Sequence, residues 1–433
     1  MSILKDLKKG KINIYEIERK LGLIAIFLLP IDSLNITFLP VQISLFRITC
    51  IIFFIIYLIF MFKLKINYYT FLIFLYTLSC FIAYFLSKNK SLSISILLND
   101  IFSIMFIYIA LDIYEKDDIP SLLKAIIYSM IFPIIFSVIE YFNFFILGQR
   151  VTSISLFGIL QSTVSVEDIA TQQISGIPRL VFPYSTSPAF SLNVGVGILS
   201  IIMLKEFNKK IQFQKGIIFI LIVLLILSFS RSTILALIVA YVVYIFKFSH
   251  ISRKQARNLT IFFTAFITIF ILALPKLDDI FMFLDANSKI FHVLLGRVEE
   301  SNLSSILQGR HVLLMLEGFH ILFSNIITLF IGTGTQSIVM MYGKYTLIPY
   351  SFLSSHMTIL VERGIFGYLS TFMLNFYILF NRKIKNSPLL CFQIYILVSL
   401  FLYELRSSLI IPIITSICLL YIKRDRRQVI KIK

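Results

Sequence analysis

The chain has 433 residues, 58% of them hydrophobic, and a net charge of +18. Unbroken apolar runs such as 50–62, 216–229 and 234–246 exclude a soluble globular protein, which would need far more polar surface. Lipid admits only helices or closed barrels, and these runs lack the alternation of barrel strands, so the expected class is an all-α, polytopic helical membrane protein.

In chain order, about twelve transmembrane helices are expected, within one integral membrane domain over 1–433. They cover approximately 21–38, 43–62, 68–86, 95–114, 122–147, 186–204, 216–229, 232–248, 259–275, 357–380, 388–404 and 406–422. Most of the 40 lysines and arginines cluster at the two termini and in short segments at 63–65, 116–124, 205–215, 247–257 and 382–385. Basic residues favour the cytoplasmic side, so both termini are expected inside. The positive charge is then an orientation signal rather than a nucleic-acid footprint. Two long segments are left facing outward. The first extracytoplasmic loop is 148–185, and the large one is 276–356.

No cleavable signal peptide is expected, because the first apolar run leads on into further spans without a small-residue cleavage site. The cysteines Cys50, Cys80, Cys391 and Cys418 sit in apolar runs without ligand spacing, and no metal site is expected. The absence of Trp and the abundance of Ile, Lys, Phe and Asn suggest an AT-rich bacterial genome.

The large outer segment holds four of the five histidines: His292, His311, His320 and His356. Loops longer than about 12–15 residues are commonly functional or disordered, and this one is too apolar for disorder. Within it, Val312, Met315, Leu316, Phe319 and Leu322 fall at helical spacing, which predicts an amphipathic helix over 309–325 lying on the membrane face. Gly332-Thr-Gly334 marks a turn. A helix is expected to restart near Ser351.

Three arginines are candidate anion ligands on the outer side. Arg231, in Ser228-Phe-Ser230-Arg231-Ser-Thr233, lies where two spans turn with almost no linker. A buried arginine there costs roughly 2.5–3.5 kcal/mol without anionic company, and its forked donors suit phosphate. The competing reading is an interfacial arginine that snorkels to headgroups. Arg310 opens the amphipathic segment, where free helix N–H groups also favour anions. Arg179 lies in the first outer segment. His356 stands where the loop re-enters the membrane, able to take a proton from a hydroxyl or to hold a phosphate. Glu362 and Arg363 follow, and seven-residue spacing puts Arg363 on the helix face of His356. No phosphate-binding glycine loop is present, so ATP-driven chemistry is unsupported.

Together these motifs resemble the O-antigen polymerase and ligase superfamily, of the Wzy and WaaL type, over roughly Arg179 to Gly367. Ser228-Phe-Ser-Arg231 is similar to its Ser-Gly-Ser-Arg turn, with Phe229 in place of Gly. Gly309-Arg310 resembles its loop arginine, and Gly332-Thr-Gly334 its Gly-x-Gly. His356 with Glu362-Arg-Gly364-Ile-Phe-Gly367 resembles its closing histidine and Glu-x-Gly-x-x-Gly, with a His-to-Gly spacing about one helical turn shorter. Arg179-Leu-Val-Phe-Pro183 is similar to an Arg-x-x-Gly…Pro element, with Phe182 for Gly.

The resemblance implies a metal-independent, cofactor-free membrane glycosyltransferase of the bacterial inner membrane, active on its extracytoplasmic face. It would polymerise undecaprenyl-diphosphate-linked repeat units into O-antigen or capsular polysaccharide. It implies His356, Arg231 and Arg310 as catalytic, Arg231, Arg310, Arg179 and Ser230 as diphosphate-binding, and Glu362 and Arg363 as further candidates. Expected partners are the lipid-linked glycan donor and acceptor, membrane lipids, a chain-length regulator and a flippase, with no nucleic acid. The outer loop then reads as a lid over an anion-binding pocket. The same motifs fit a ligase that passes finished glycan to another acceptor. A lipid-linked oligosaccharide flippase or other transporter is the alternative from a different class. A non-catalytic scaffold is the remaining reading.

Overall fold

The computed structural model describes residues 14–36, 43–62, 68–147, 153–156, 160–163, 180–184, 186–209, 211–228, 230–248, 310–337, 354–403, 405 and 408–423. Among them the chain is predominantly helical. The helices are α1 (Ile14–Leu28), α2 (Leu45–Phe60), α3 (Tyr68–Leu86), α4 (Lys90–Ile113), α5 (Ile119–Ser129), α6 (Ile131–Leu147), α7 (Ser187–Glu206), α8 (Gln214–Leu227), α9 (Arg231–Phe248), α10 (Arg310–Phe323), α11 (Ile326–Ile331), α12 (Ser355–Phe380), α13 (Arg382–Lys385), α14 (Leu390–Leu402) and α15 (Ile410–Ile422). Five are long and apolar enough to cross a membrane, counting α5 with α6 as one, and five more are shorter apolar helices. The span expected over 259–275 lies outside the described residues.

The helix ends have local causes. Ser44 caps α2 by accepting a hydrogen bond from the Arg47 amide at 3.1 Å. Asn89 caps α4 through the Leu92 amide, so α4 begins at Lys90, earlier than the expected residue 95. Thr186 caps α7, and Pro188 sits in its first turn, where a missing N–H costs nothing. The expected span 122–147 is instead two helices meeting at Met130. Pro133 explains the join, because it has no N–H to offer the Ser129 carbonyl. Helix α1 is in neither the longer nor the shorter group of apolar helices and is displaced from the first expected span, 21–38. α1 starts at Ile14 and ends at Leu28, where Leu29-Pro30-Ile31 tightens into a 3₁₀ turn.

Among the described residues, a small three-stranded antiparallel sheet departs from the all-α expectation. β1 (Asn35–Ile36) pairs with β3 (Leu160–Thr163), which pairs with β2 (Ser153–Leu156). The register sets Asn35 opposite Gln161 and Ser153 opposite Thr163. The sheet ties the turn after α1 to the expected first outer loop.

α7 is the centre of the bundle, with nearly every residue buried. It packs on α5, α8, α9 and α14. Gly195 lets the Tyr395 ring of α14 lie against the α7 backbone, and the Tyr395 hydroxyl donates to the Ser191 carbonyl at 3.2 Å. Polar contacts at helix ends segregate into two sets. Arg19 bonds Asp118 and the Ile113 carbonyl, and Lys383 reaches the Ile422 carbonyl, all among residues expected on the inner side. Asp32 bonds Ser44 and Arg47, Ser33 bonds the Pro183 carbonyl, and Ser355 bonds the Tyr403 carbonyl, all in outer segments or towards the outward ends of expected spans. Glu18 on α1 is fully buried, and neither carboxylate oxygen has a hydrogen-bond partner among the described residues.

Candidate functional site

Two polar clusters occupy the ends of helices on the expected outer side. The first surrounds the turn between α8 and α9. Ser187 donates to the Ser228 carbonyl at 2.5 Å, and Ser191 donates to the Ser228 hydroxyl at 2.8 Å. Thr233 donates to the Ser230 hydroxyl at 2.8 Å. All five hydroxyl side chains are buried. They lock the turn between two apolar helices without a loop, which places Arg231 at the first residue of α9.

The segment following Arg179 is strapped to the same turn. The Leu180 amide donates to the Leu227 carbonyl at 3.4 Å. The Val181 and Phe182 amides both donate to the buried Glu140 carboxylate of α6, at 3.3 and 3.4 Å. Arg179 itself lies outside the described residues, as does most of the expected large loop 276–356. Of Arg231 and Arg310, only the backbone is described: each is the first residue of its helix.

The second cluster joins two motifs that the sequence separates. The helix α12 is broken at Gly364, whose φ is 64° and ψ −173°. Gly332, at φ 83°, ends α11 beside that break. A methyl on Gly364 would strike the Phe330 and Ile331 backbone, and one on Gly332 would strike the backbone of Glu362 and Arg363. The Thr333 amide donates to the Val361 carbonyl and the Gly334 amide to the Glu362 carbonyl, each at 2.9 Å. The Gln336 amide donates to the Glu362 carboxylate at 2.9 Å. Gly332-Thr-Gly334 and Glu362-Arg-Gly364 therefore form one packed unit. Its far side is fixed to the α3–α4 turn, where the Thr335 amide donates to the Ala83 carbonyl and Ser93 donates to the Thr335 carbonyl.

Arg363 turns away from this unit into the bundle. Its guanidinium donates to Asp100 of α4 at 2.5 Å and to Thr371 and the Cys80 sulfur at 3.3 Å. The Tyr76 hydroxyl donates to the other Asp100 oxygen at 3.0 Å. Asp100 is thus the partner that holds Arg363, a pairing no local pattern reveals. Seven-residue spacing does not bring Arg363 to His356.

His356 is the second residue of α12 and half-buried. Its ring stacks on Phe372 with centroids 4.2 Å apart and 7° between planes, and Nδ1 lies 2.9 Å from the Tyr368 hydroxyl. Next to it, Ser355 accepts from the Leu405 amide at 2.6 Å, joining the head of α12 to the end of α14.

Among the described residues no group of His, Cys, Asp or Glu side chains could hold a metal ion. No protein-family model matches the chain, and no curated protein matches it significantly.

Proposed function

We propose that this multi-pass membrane chain, of about twelve spans with both termini cytoplasmic, polymerises undecaprenyl-diphosphate-linked glycan on the outer face of a bacterial inner membrane. A hydroxyl oxygen of the acceptor repeat would attack the anomeric carbon of the donor glycan. The carbon–oxygen bond to the diphosphate breaks, the diphosphate leaves with the electron pair, and the acceptor hydroxyl loses its proton. Such a leaving group needs charge neutralisation more than a proton donor, and Arg231 and Arg310 are the groups assigned to that work, together with Arg179 and Ser230.

One observation carries the reading. Gly332-Thr-Gly334 and Glu362-Arg-Gly364, two separate motifs in the resemblance and 28 residues apart at Thr333 and Val361, are hydrogen-bonded into one unit. That unit anchors α11, the helix following the one headed by Arg310. The packing of His356 favours a role in orienting the head of α12 over a role as general base.

The test is Arg231→Ala and Arg310→Ala in the organism of origin. Single-repeat surface glycan should persist while the long-chain ladder disappears from a gel. Unaltered ladders in both variants would remove these residues from the reaction. Loss of all surface glycan would favour a ligase or flippase.

A transporter is the second reading, because Asp100–Arg363 is a buried ion pair beside a broken helix, as transporters place them. In a flippase, Arg363→Gln would stop even single repeats from reaching the surface. In a polymerase, single repeats remain.

A further inference from the structure

Residues 310–337 belong to a segment that composition alone assigns to an outer loop, yet their described part does not rest on top of the bundle. α11 packs along α12, and the Phe330–Ile331 backbone lies against Gly364. At 1.5 Å per residue, Gly364 is about 13 Å below the start of α12. Counted upward from Phe380 through a hydrocarbon core of about 30 Å, it is about 6 Å below the outer boundary. Either count puts the Phe330–Ile331 end of α11 below the outer boundary of the hydrocarbon layer.

The turn that follows meets the condition for non-helical backbone at that depth, which is burial in protein with every N–H satisfied. Gly332, Gly334, Thr335 and Ser337 are buried, and the amides from Thr333 to Gln336 all donate to carbonyls or to the Glu362 carboxylate. None of residues 321–337 is Asp, Glu, Lys or Arg.

The other side of this element is bare hydrocarbon. Phe323, Ile326, Ile327 and Phe330 are 68%, 72%, 59% and 55% exposed. α12, on which the element packs, also exposes apolar side chains, among them Phe366 and Leu369. A contiguous apolar patch of this kind marks an interaction surface rather than a solvated one.

We propose that α10 and α11 form a re-entrant hairpin whose apolar face is seated among the acyl chains of the bilayer. The partner is lipid hydrocarbon. The proposal requires only that the chain crosses a membrane and is independent of the glycan chemistry above.

The chain has no Trp, so one introduced indole reports alone. Phe330→Trp and, separately, Phe323→Trp are prepared in full-length protein and reconstituted into phosphatidylcholine vesicles brominated midway along the acyl chains. Phe74→Trp, on the exposed face of α3, is the lipid reference, and Asp117→Trp, on the exposed turn between α4 and α5, is the water reference. Bromolipid should quench the α10–α11 indoles comparably to the lipid reference, with acrylamide quenching several-fold weaker than at the water reference. Acrylamide quenching equal to the water reference would overturn the proposal in favour of a solvated loop. Quenching by neither reagent would overturn it in favour of a protein surface, a second copy or a partner, covering the face.

Discussion

Asp100 on α4 and Arg363 on α12 are 263 residues apart in sequence and 2.5 Å apart in space, with side chains 12% and 2% exposed. The pair fastens α12 to α4 beside the break at Gly364. Removing one partner strands a buried charge, whereas removing both does not. Asp100→Asn and Arg363→Met should each destabilise the protein by about 3–5 kcal/mol, and the double exchange by clearly less than their sum. Thermal unfolding of the purified protein in detergent reads this directly. Additive losses would mean that the charges do not interact.

The two glycines at the docked turn should resist any side chain. Gly332 and Gly364 combine φ of 83° and 64° with ψ near 180°, a region open essentially to glycine alone. Backbone strain of about 1–3 kcal/mol is expected for Ala at either place, before the clash with the facing backbone is counted. Gly216→Ala is the control, since nothing lies within 4 Å of its would-be methyl. Gly332→Ala and Gly364→Ala should lower the unfolding temperature and the yield of folded protein, and Gly216→Ala should not.

At the centre of the bundle, Gly195→Ala should be severe because the added methyl meets the Tyr395 ring. Tyr395→Phe removes only the hydroxyl that donates to Ser191, a loss of about 1 kcal/mol. Tyr395→Leu should partly rescue Gly195→Ala by opening room. If the double variant is no more stable than Gly195→Ala alone, the ring is not the obstacle.

Glu18, just before the first expected span, offers a pH dependence. Burial raises its carboxyl to about 8, above the model-compound value of 4.5. Between those values the unfolded chain has released a proton that the folded chain retains. Stability therefore falls as pH rises through that window. Glu18→Gln should raise the unfolding temperature at pH 8 and change it little at pH 5. Equal effects at both values would show that Glu18 does not titrate in this range.

Long apolar periodicity made much of the helical frame legible. The expected span 68–86 coincides with α3, and 232–248 differs from α9 by one residue. Local cues were missed where a cap or proline decides the boundary, as at Asn89 and Pro133. The sheet was missed because Ser153-Ile-Ser-Leu156 alternates for only four residues inside a segment read as loop. Candidate site residues were found by chemistry and resemblance, but their partners were not. Helical spacing aimed Arg363 at His356. A helix sets which side a residue faces, and only tertiary packing supplied Asp100, Tyr76 and Cys80 on that side.

The registration of Thr333 on Val361, and of Ser355 on Tyr403, also bears on where the chain can be lengthened. The described residues on either side of 338–353, Ser337 and Ser354, are both buried beside these anchored points. Closing a longer connection between fixed ends is cheap, about 0.6 kcal/mol for each doubling of length. This makes 338–353 a place for an inserted epitope. A tag there should leave the unfolding temperature unchanged and be recognised by antibody on intact spheroplasts, whereas the same tag between Phe330 and Gly334 should abolish folding.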